Sequence, residues 1–486
     1  METKHILALI ILVALGCGSV LATTFSQRLR DVAFLGMVSF SIFAERFDVN
    51  FFGQYWYRGT SRGFGISITD VLAWSILVAT LVAPRYPRRR GFIPASLGVI
   101  LVYFAYCIIS AATALEPTYA AWELVNIPRA LLILVTGAVY LRTRRELGIL
   151  ILGLSLTAGV EAVYALKQRY LGGMYRVPGT LDHANSLSMY LCTVAPVLLA
   201  AALAHWSKWI RLAAGAGCVA ATIGILLTIS RAGLPIYAFV MGGTALACTS
   251  WRFTFQKVFI FCGVAAVSGV LLLKMWDQIA ARYAESTFAE EYLDEENEGR
   301  GIYLRWAAAI LDDHPFGVGL NNWSYAVSKT YGPASGIWYE DYDDVKIDPE
   351  KADLPSINRA APAHSLAALT AGELGLPGLF FFGLVWLRWF WMGVGFLRRR
   401  LNGDPLHRLG LGFFFATIGI FLQSVTEWTY RESTLFLMFH LFIGGLASLH
   451  YLRRQEVRAP EMEPDEEFEE SEPDVMPLPA QPAHRR

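Results

Sequence analysis

The chain has 486 residues, of which 55% are hydrophobic and only 17% are charged, whereas soluble domains carry about 25% charged residues. The formal net charge is zero, but basic residues cluster in short loops between apolar runs, and acidic residues cluster in one long loop and in the tail. This composition excludes an ordinary soluble domain and indicates a protein that crosses a membrane several times.

A membrane-crossing helix needs about 20 mostly apolar residues. Twelve runs of the chain meet this length, and a thirteenth, 32–44, is shorter and abuts Glu45 and Arg46. Its length suits an interfacial or re-entrant helix as well as a crossing. We therefore predict an all-α polytopic membrane protein with about 12–13 transmembrane helices. The strong candidates are 5–22, 67–84, 92–113, 124–141, 146–165, 185–205, 209–229, 232–249, 256–274, 378–396, 406–424 and 433–451.

The distribution of lysine and arginine predicts the orientation, because short basic loops stay in the cytoplasm. The opposite, periplasmic face then receives one long loop. Twelve crossings would leave both termini in the cytoplasm, and thirteen would put the N-terminus outside. The basic loops are 85–90, 142–145, 207–211, 397–400 and 452–454.

These patterns divide the chain into four regions. We expect N-terminal transmembrane helices over 1–274 and a large periplasmic loop over 275–362. C-terminal transmembrane helices over 363–454 should begin with a broken half-helix. The acidic, proline-rich tail 455–486 should be cytoplasmic and disordered.

The half-helix is predicted from the stretch APAHSLAALTAGELGLPG, residues 361–378. Pro362 suits a helix start and Pro377 ends a helix near Leu376. Broken helices at membrane depth usually line a cavity or a site. The positive N-terminal end of such a half-helix favours an anionic ligand such as a phosphate.

His364 at this helix start could accept a proton, since the helix dipole favours a neutral imidazole. A packed structural histidine is the alternative. Glu373 follows nine residues later, on the opposite side of an ideal helix, so it cannot pair with His364 and should bond another helix.

Three further groups of polar residues are predicted on the outer face. Arg231 lies in TISRAG, between two crossings with almost no loop, and could either bind phosphate in bidentate fashion or anchor at lipid headgroups. Arg300 and Arg305 lie about 140° apart on a helix, so only one should face a site. The loop MYRVPGTLDHANS, residues 174–186, could bind sugar or diphosphate or could simply cap a helix.

Glu427 and Arg431 are spaced i,i+4, which favours a surface ion pair. No phosphate-binding glycine loop of the Walker type and no metal-ligand pattern is present, and all six cysteines lie inside apolar runs. The sequence therefore predicts a metal-independent membrane enzyme that acts on an anionic substrate at the outer face, with a transporter as the alternative.

Four motifs in order over about residues 150–380 resemble the bacterial O-antigen ligase family, which shares its core with O-antigen polymerases and protein O-oligosaccharyltransferases. PGTLDHANSLSMYL, TISRAG and LRWAAAILDDHPFGVGLNNW resemble three of its segments. His364-Ser365, followed by Gly375 after nine residues and by Gly378 after two more, resembles the fourth.

The resemblance implies transfer of a glycan from undecaprenyl diphosphate to an acceptor hydroxyl at the periplasmic face of the bacterial inner membrane. The acceptor would be a lipid A core sugar for a ligase, the growing glycan for a polymerase, or a protein Ser/Thr for an oligosaccharyltransferase. The implied partners are this donor, this acceptor and membrane lipids, with no cofactor, no metal and no nucleic acid.

By the same resemblance His364 would be the base or the residue that orients the acceptor, and Arg231 and Arg305 would bind the diphosphate and stabilise the leaving charge. The substrate-binding candidates are Arg176, His183, Asn185, Ser230, Arg300, Asn321 and Ser365.

Overall fold

The computed structural model of the chain describes residues 3–43, 48–53, 57–84, 93–249, 269, 273–274, 276–284, 300–339, 359–397, 404–428 and 431–458. The predicted crossing 256–274 falls almost wholly outside these residues. The predicted tail does so too, except for 455–458, which continue the last helix.

Helices dominate the described part of the chain. One antiparallel hairpin joins β1 (Val49–Phe51) to β2 (Phe64–Ile66), with Val49 opposite Ile66. Residues 276–284 are also helical, and short helical turns occupy 323–334. The main helices are α1 (Thr3–Phe25), α2 (Gln27–Phe40), α3 (Ile68–Val82), α4 (Leu97–Ala112), α5 (Pro117–Leu124), α6 (Asn126–Tyr140), α7 (Arg144–Tyr170), α8 (Ala184–Leu203), α9 (Lys208–Thr228), α10 (Gly233–Cys248), α11 (Gly301–Asp313), α12 (Leu366–Leu397), α13 (Pro405–Thr426) and α14 (Ser433–Arg458).

Eight helical stretches of the described chain are long and apolar enough to cross a membrane, among them the combined α5–α6 stretch, and α3, α4 and α10 are shorter apolar helices. The predicted all-α, polytopic fold is therefore confirmed.

The contacts of Asp31 and Asp48 place the short run 32–44 relative to α6. Asp31 lies at the C-terminal end of α6, where it accepts a hydrogen bond from Tyr140 at 2.8 Å and pairs with Arg145 at 2.6 Å. Asp48 lies at the other end of α6 and pairs with Arg129 at 3.6 Å. Asp31 and Asp48 therefore lie at opposite ends of α6; among the described residues, α2 is not one of the helices long and apolar enough to cross a membrane.

The two ends of the described chain lie at opposite ends of the bundle. His5 in α1 packs on Phe51 of the hairpin, with ring centroids 5.8 Å apart. Tyr451 in α14 lies under Arg142, whose guanidinium carbon is 5.2 Å from the ring centroid, beyond the far end of α6.

Helix α12 is interrupted at Gly375, where φ is 67° and ψ is −167°. This conformation is accessible almost only to glycine. The interruption frees carbonyl groups that a buried helix end must pair elsewhere. The turn 315–319 and Tyr106 supply the partners: Val318 N donates to Gly372 O (2.9 Å), Gly319 N to Glu373 O (2.9 Å), Tyr106 Oη to Leu374 O (2.8 Å), and Leu376 N donates to Pro315 O (3.1 Å).

The long loop rests on the first half of α12. The buried face of α11 includes Ile302, Trp306 and Ile310, which belong to one apolar cluster with Ala368 and Leu369 of α12. These three residues are spaced so that they share one face of a helix, and all three side chains are buried. The loop thereby fixes the start of α12, where His364 lies.

Replacing Gly375 by alanine should destabilise the protein. The unfavourable backbone conformation alone costs about 1–3 kcal/mol, and the added Cβ would overlap the backbone of Pro315 and Phe316. Gly383→Ala is the matched control, because a Cβ at Gly383, on the same helix, meets nothing within 4 Å. Thermal unfolding in detergent should show a lower Tm for Gly375→Ala only, and equal Tm values would contradict this account of the break.

Candidate active site

His364 lies just before α12 and contacts a buried carboxylate. Its Nδ1 is 2.6 Å from Oε2 of Glu427, the residue that follows α13. The Glu427 side chain is 7% exposed and that of His364 is 37% exposed. Because a carboxylate can only accept, Nδ1 carries the proton in a neutral ring and Nε2 is left as the acceptor. The imidazole is thus oriented from within the protein and half-open to solvent.

Two further donors hold the carboxylate of Glu427. Arg300 Nη2 lies 2.9 Å and Asn185 Nδ2 lies 2.7 Å from its Oε1. Burial acts to raise the pKa of Glu427, but the hydrogen bond and charge of His364 together with Arg300 and Asn185 lower that pKa below its ordinary value. Glu427 is therefore an anion at neutral pH that fixes the histidine and the arginine at one point.

Arg176 lies close enough to this carboxylate and to three other arginines for their charges to act on it. Burial, and then the positive charges of Arg282, Arg231 and Arg300, lower the pKa of Arg176, while Glu427 raises it. The helix 276–284 that carries Arg282 is tied to the site, because its Tyr283 Oη donates to the carbonyl of Arg231 at 2.7 Å. Several guanidinium groups at one place suit a substrate group with multiple negative charges.

Asn185 links the arginines to the histidine pair. Its Oδ1 accepts from Arg176 Nη2 at 2.7 Å and from Ser230 Oγ at 3.4 Å, while its Nδ2 donates to Glu427. A continuous polar chain therefore runs from Arg176 through Asn185 and Glu427 to His364.

Helix α7 positions the loop that leads to Asn185. Gln168 donates to Gly179 O at 2.7 Å and accepts from Gly179 N at 2.9 Å, and the buried carboxylate of Glu161 accepts from Thr180 N at 2.9 Å. Gly179 has φ 66°, and a Cβ there would overlap Glu161. The glycine of the PGT turn is thus required by the close approach of α7.

The two serines among the predicted substrate-binding residues also bond the starts of helices. Ser230 Oγ accepts from Gly233 N at 3.3 Å, at the beginning of α10, and Ser365 Oγ accepts from Ala368 N at 3.4 Å, at the beginning of α12. Both side chains are buried. They support the turns that carry Arg231 and His364.

Three other predicted site residues are not brought into this cluster. Arg305 is exposed on α11, and no described contact joins it to the Glu427–His364 pair, so Arg300 is the arginine of this helix that faces the site. His183 is exposed before α8 and makes no capping bond. Asn321 is fully buried.

Asn321 is a structural residue with a left-handed backbone (φ 57°). Its Nδ2 donates to Ser61 O at 2.9 Å and to Tyr119 O at 2.8 Å, and its Oδ1 accepts from Thr60 Oγ1 at 2.9 Å. With both amide donors used inside the protein, it has none for a substrate.

The predicted surface pair of Glu427 and Arg431 is wrong. Glu427 has extended backbone (φ −147°, ψ 164°), so helical i,i+4 spacing does not apply. Both side chains are buried, and they point to different partners. Sequence reasoning therefore missed Glu427 as a site residue; its only signal was a carboxylate in a short turn between two crossings.

Arg431 forms a second buried charge cluster. Its Nε is 3.1 Å from Glu123 Oε1, its Nη1 pairs with Glu373, and its Nη2 donates to Thr60 Oγ1 at 2.8 Å. Glu373 Oε2 also accepts from Asn321 N at 2.9 Å. Glu373 does not pair with His364, as predicted, but its partners lie in turns and not in another helix. The cluster joins the 427–432 segment to α5, α12 and the loop before α3.

Arg431→Met should destabilise the protein strongly, because it leaves two buried carboxylates without their partner, at a cost of about 3–5 kcal/mol. Arg144→Met is the control, since Arg144 pairs with Asp404 at 3.4 Å while 65% exposed, and such pairs contribute at most about 1 kcal/mol. Denaturant unfolding in detergent should separate the two variants, and an equal loss would show that the Arg431 cluster does not stabilise the fold.

The stability of the folded protein should fall as the pH rises towards the pKa of Glu432. Burial raises the pKa of Glu432 to about 7, against the lowering effect of a hydrogen bond with Ser186. The folded state therefore holds a proton that the unfolded state has lost between its ordinary pKa of 4.5 and about 7. In the wild type, ionising the buried carboxyl group of Glu432 costs at most about 3 kcal/mol of stability. This cost is fully present above pH 7 and absent below pH 4.5, and Glu432→Gln removes it. Tm measured across pH should show the variant gaining on the wild type at pH 8, and a gain of the same size at pH 4 would contradict this assignment.

A comparison with protein families gives one match: residues 216–383 fit the family model described as O-antigen ligase. The matched segment runs from α9 into the second half of α12 and includes Arg231, Arg300 and His364. Asn185 and Glu427, which hold these residues in place, lie outside it. A search of curated proteins found no match. Residues 216–383 of this chain are thus similar to the O-antigen ligase family, and the similarity supports glycosyl transfer at a membrane in a broad sense.

Proposed function

We propose that the protein is a metal-independent glycan ligase that transfers a glycan from undecaprenyl diphosphate to a hydroxyl of a lipid A core sugar. One observation carries this proposal: a half-open imidazole, oriented by an ionised buried glutamate, lies beside a group of arginines. His364, Glu427 and Arg300 share direct contacts, and the charges of Arg176, Arg231 and Arg282 adjoin them.

His364 would act as the general base. Glu427 accepts the Nδ1 proton, so Nε2 takes the proton from the acceptor hydroxyl. The acceptor oxygen forms a bond to the anomeric carbon of the glycan, and the bond from that carbon to the diphosphate oxygen breaks. The electron pair leaves with the lipid diphosphate. A single displacement of this kind inverts the configuration at the anomeric carbon.

The arginines would bind the diphosphate and stabilise the charge that develops on it. Guanidinium groups match phosphate oxygens in bidentate geometry and stay charged when partly buried. Arg300 contacts Glu427, so it would link base and leaving group. The negative charge on Glu427 serves a second purpose here, because it stabilises the imidazolium once His364 has taken the proton.

The site would face the periplasm from the inner membrane. Arg144 and Arg145 contact Asp404 and Asp31 at the end of the bundle remote from His364, and basic turns favour the cytoplasm. The loop 275–362 would then lie outside with the site, between the helices of 1–274 and 363–454, and the tail 455–486 would lie inside.

The acceptor is tested with purified protein and undecaprenyl-diphosphate glycan. Lipid A core, a glycan chain that can be extended, and serine- or threonine-containing peptides are offered in parallel. Transfer to lipid A core supports the ligase. Chain extension or peptide glycosylation would replace it with a polymerase or an oligosaccharyltransferase, and uptake of the donor into vesicles without any transfer would indicate a transporter.

His364→Ala should lower the rate of transfer by roughly 10²–10⁴-fold, the usual contribution of a general base. Glu427→Gln should lower kcat by about tenfold or more, because the amide cannot balance the imidazolium charge. His205→Ala is the control, since His205 is an exposed histidine in the turn after α8. Rates are measured with the acceptor that the wild type uses, and a His364→Ala variant that transfers like the wild type would overturn the site assignment.

A further inference from the structure

A large cavity lies away from His364, between α1, α3 and α6. Its volume is about 1110 Å³, and apolar side chains such as Leu12, Val13, Leu77 and Leu132 line almost all of it. The wall is a side of the bundle: Val13 and another lining residue, Trp74, are both more than half exposed.

The surroundings of this cavity are hydrocarbon. Helix α1 is one of the stretches able to cross a membrane, and little of it is buried by the rest of the protein. An open apolar cavity on such a helix meets lipid chains and not water. A hydrocarbon chain therefore matches the long part of the cavity.

One end of the cavity is charged. Asp70 and Arg129 line it, with Arg129 Nε 2.9 Å from Asp70 Oδ2, and Arg129 Nη2 lies 3.6 Å from Oδ2 of Asp48. The side chains of Asp70 and Asp48 are 9% and 13% exposed, yet Oδ1 of each has no hydrogen-bond partner. Buried carboxylate oxygens without donors are unusual and costly.

The charge at this end selects among headgroups. Two carboxylates face one guanidinium, which leaves one net negative charge when all three are ionised. A diphosphate or any other anionic headgroup is repelled by this charge, whereas a primary ammonium group brings a positive charge and three N–H donors. Asp70 lines this end of the cavity, and Asp48 adjoins it through Arg129.

We propose that the cavity between α1, α3 and α6 binds a phospholipid with a primary-amine headgroup, its acyl chain along the apolar wall and its ammonium at Asp70 and Asp48. This lipid site is separate from the arginine cluster at His364, which suits the opposite charge. It does not depend on the proposed transfer reaction.

Binding is tested on the full-length protein, stripped of lipid in detergent and then exposed to equal amounts of phosphatidylethanolamine, phosphatidylglycerol and phosphatidylcholine. Native mass spectrometry counts the lipid retained. Phosphatidylethanolamine should be preferred about tenfold over phosphatidylglycerol, the ratio expected from one charge-assisted hydrogen bond. Equal retention of the three lipids would overturn the proposal.

Two variants locate the site. Val13→Trp fills the cavity from an exposed position of α1 and should abolish the preference, whereas Leu246→Trp, at an exposed position of α10, should leave it unchanged. Asp48→Asn removes the net negative charge while the pairing of Arg129 with Asp70 remains, so retention of the amine lipid should fall towards that of phosphatidylglycerol. Unfolding temperatures check that each variant is folded, and a preference that survives both Val13→Trp and Asp48→Asn would place the lipid elsewhere.

Discussion

The interruption of α12 at Gly375 is the constraint on which the rest of the site depends. A continuous helix would satisfy its own backbone, but the break frees carbonyl groups that the turn 315–319 and Tyr106 must pair. Pairing these groups brings the long loop onto the first half of α12, and with it α11 and Arg300. The same break creates the short helix whose start carries His364. One unusual backbone conformation therefore places a histidine from one segment beside an arginine from another.

The segment between α13 and α14 shows how two buried charges, four residues apart, take different roles. Glu427 stays ionised because His364, Arg300 and Asn185 all stabilise its charge, and its carboxylate lies next to a half-exposed ring. Arg431 lies fully inside, between Glu123 and Glu373. The arginine cluster anchors the segment, and the anchored segment holds Glu427 against the histidine. Stability and chemistry are thus divided between neighbouring positions of one short turn.

Local sequence signals predicted the parts of this protein that local physics controls. Apolar runs of about 20 residues predicted the crossings, because an unpaired backbone cannot stay in lipid. Pro377, with the glycines that precede it, predicted a break in the helix. The angle between positions 364 and 373 on an ideal helix excluded a contact between His364 and Glu373. The spacing of Ile302, Trp306 and Ile310 puts them on one face of a helix, and this is the face of α11 that packs on α12. Between Arg300 and Arg305 the sequence could say only that one faces the site.

What the sequence by itself determined is therefore an all-α membrane protein with a broken helix and a histidine at its start, since these follow from hydrophobicity and backbone chemistry within single segments. Only the tertiary structure decided that Arg300 faces the site, that both amide donors of Asn321 bond within the protein, and that Glu427 orients His364. It also decided that Asp31 and Asp48, on either side of the run 32–44, lie at opposite ends of α6. Each of these outcomes is a contact between residues far apart in the chain, and spacing along one segment carries no information about which distant side chain will meet it.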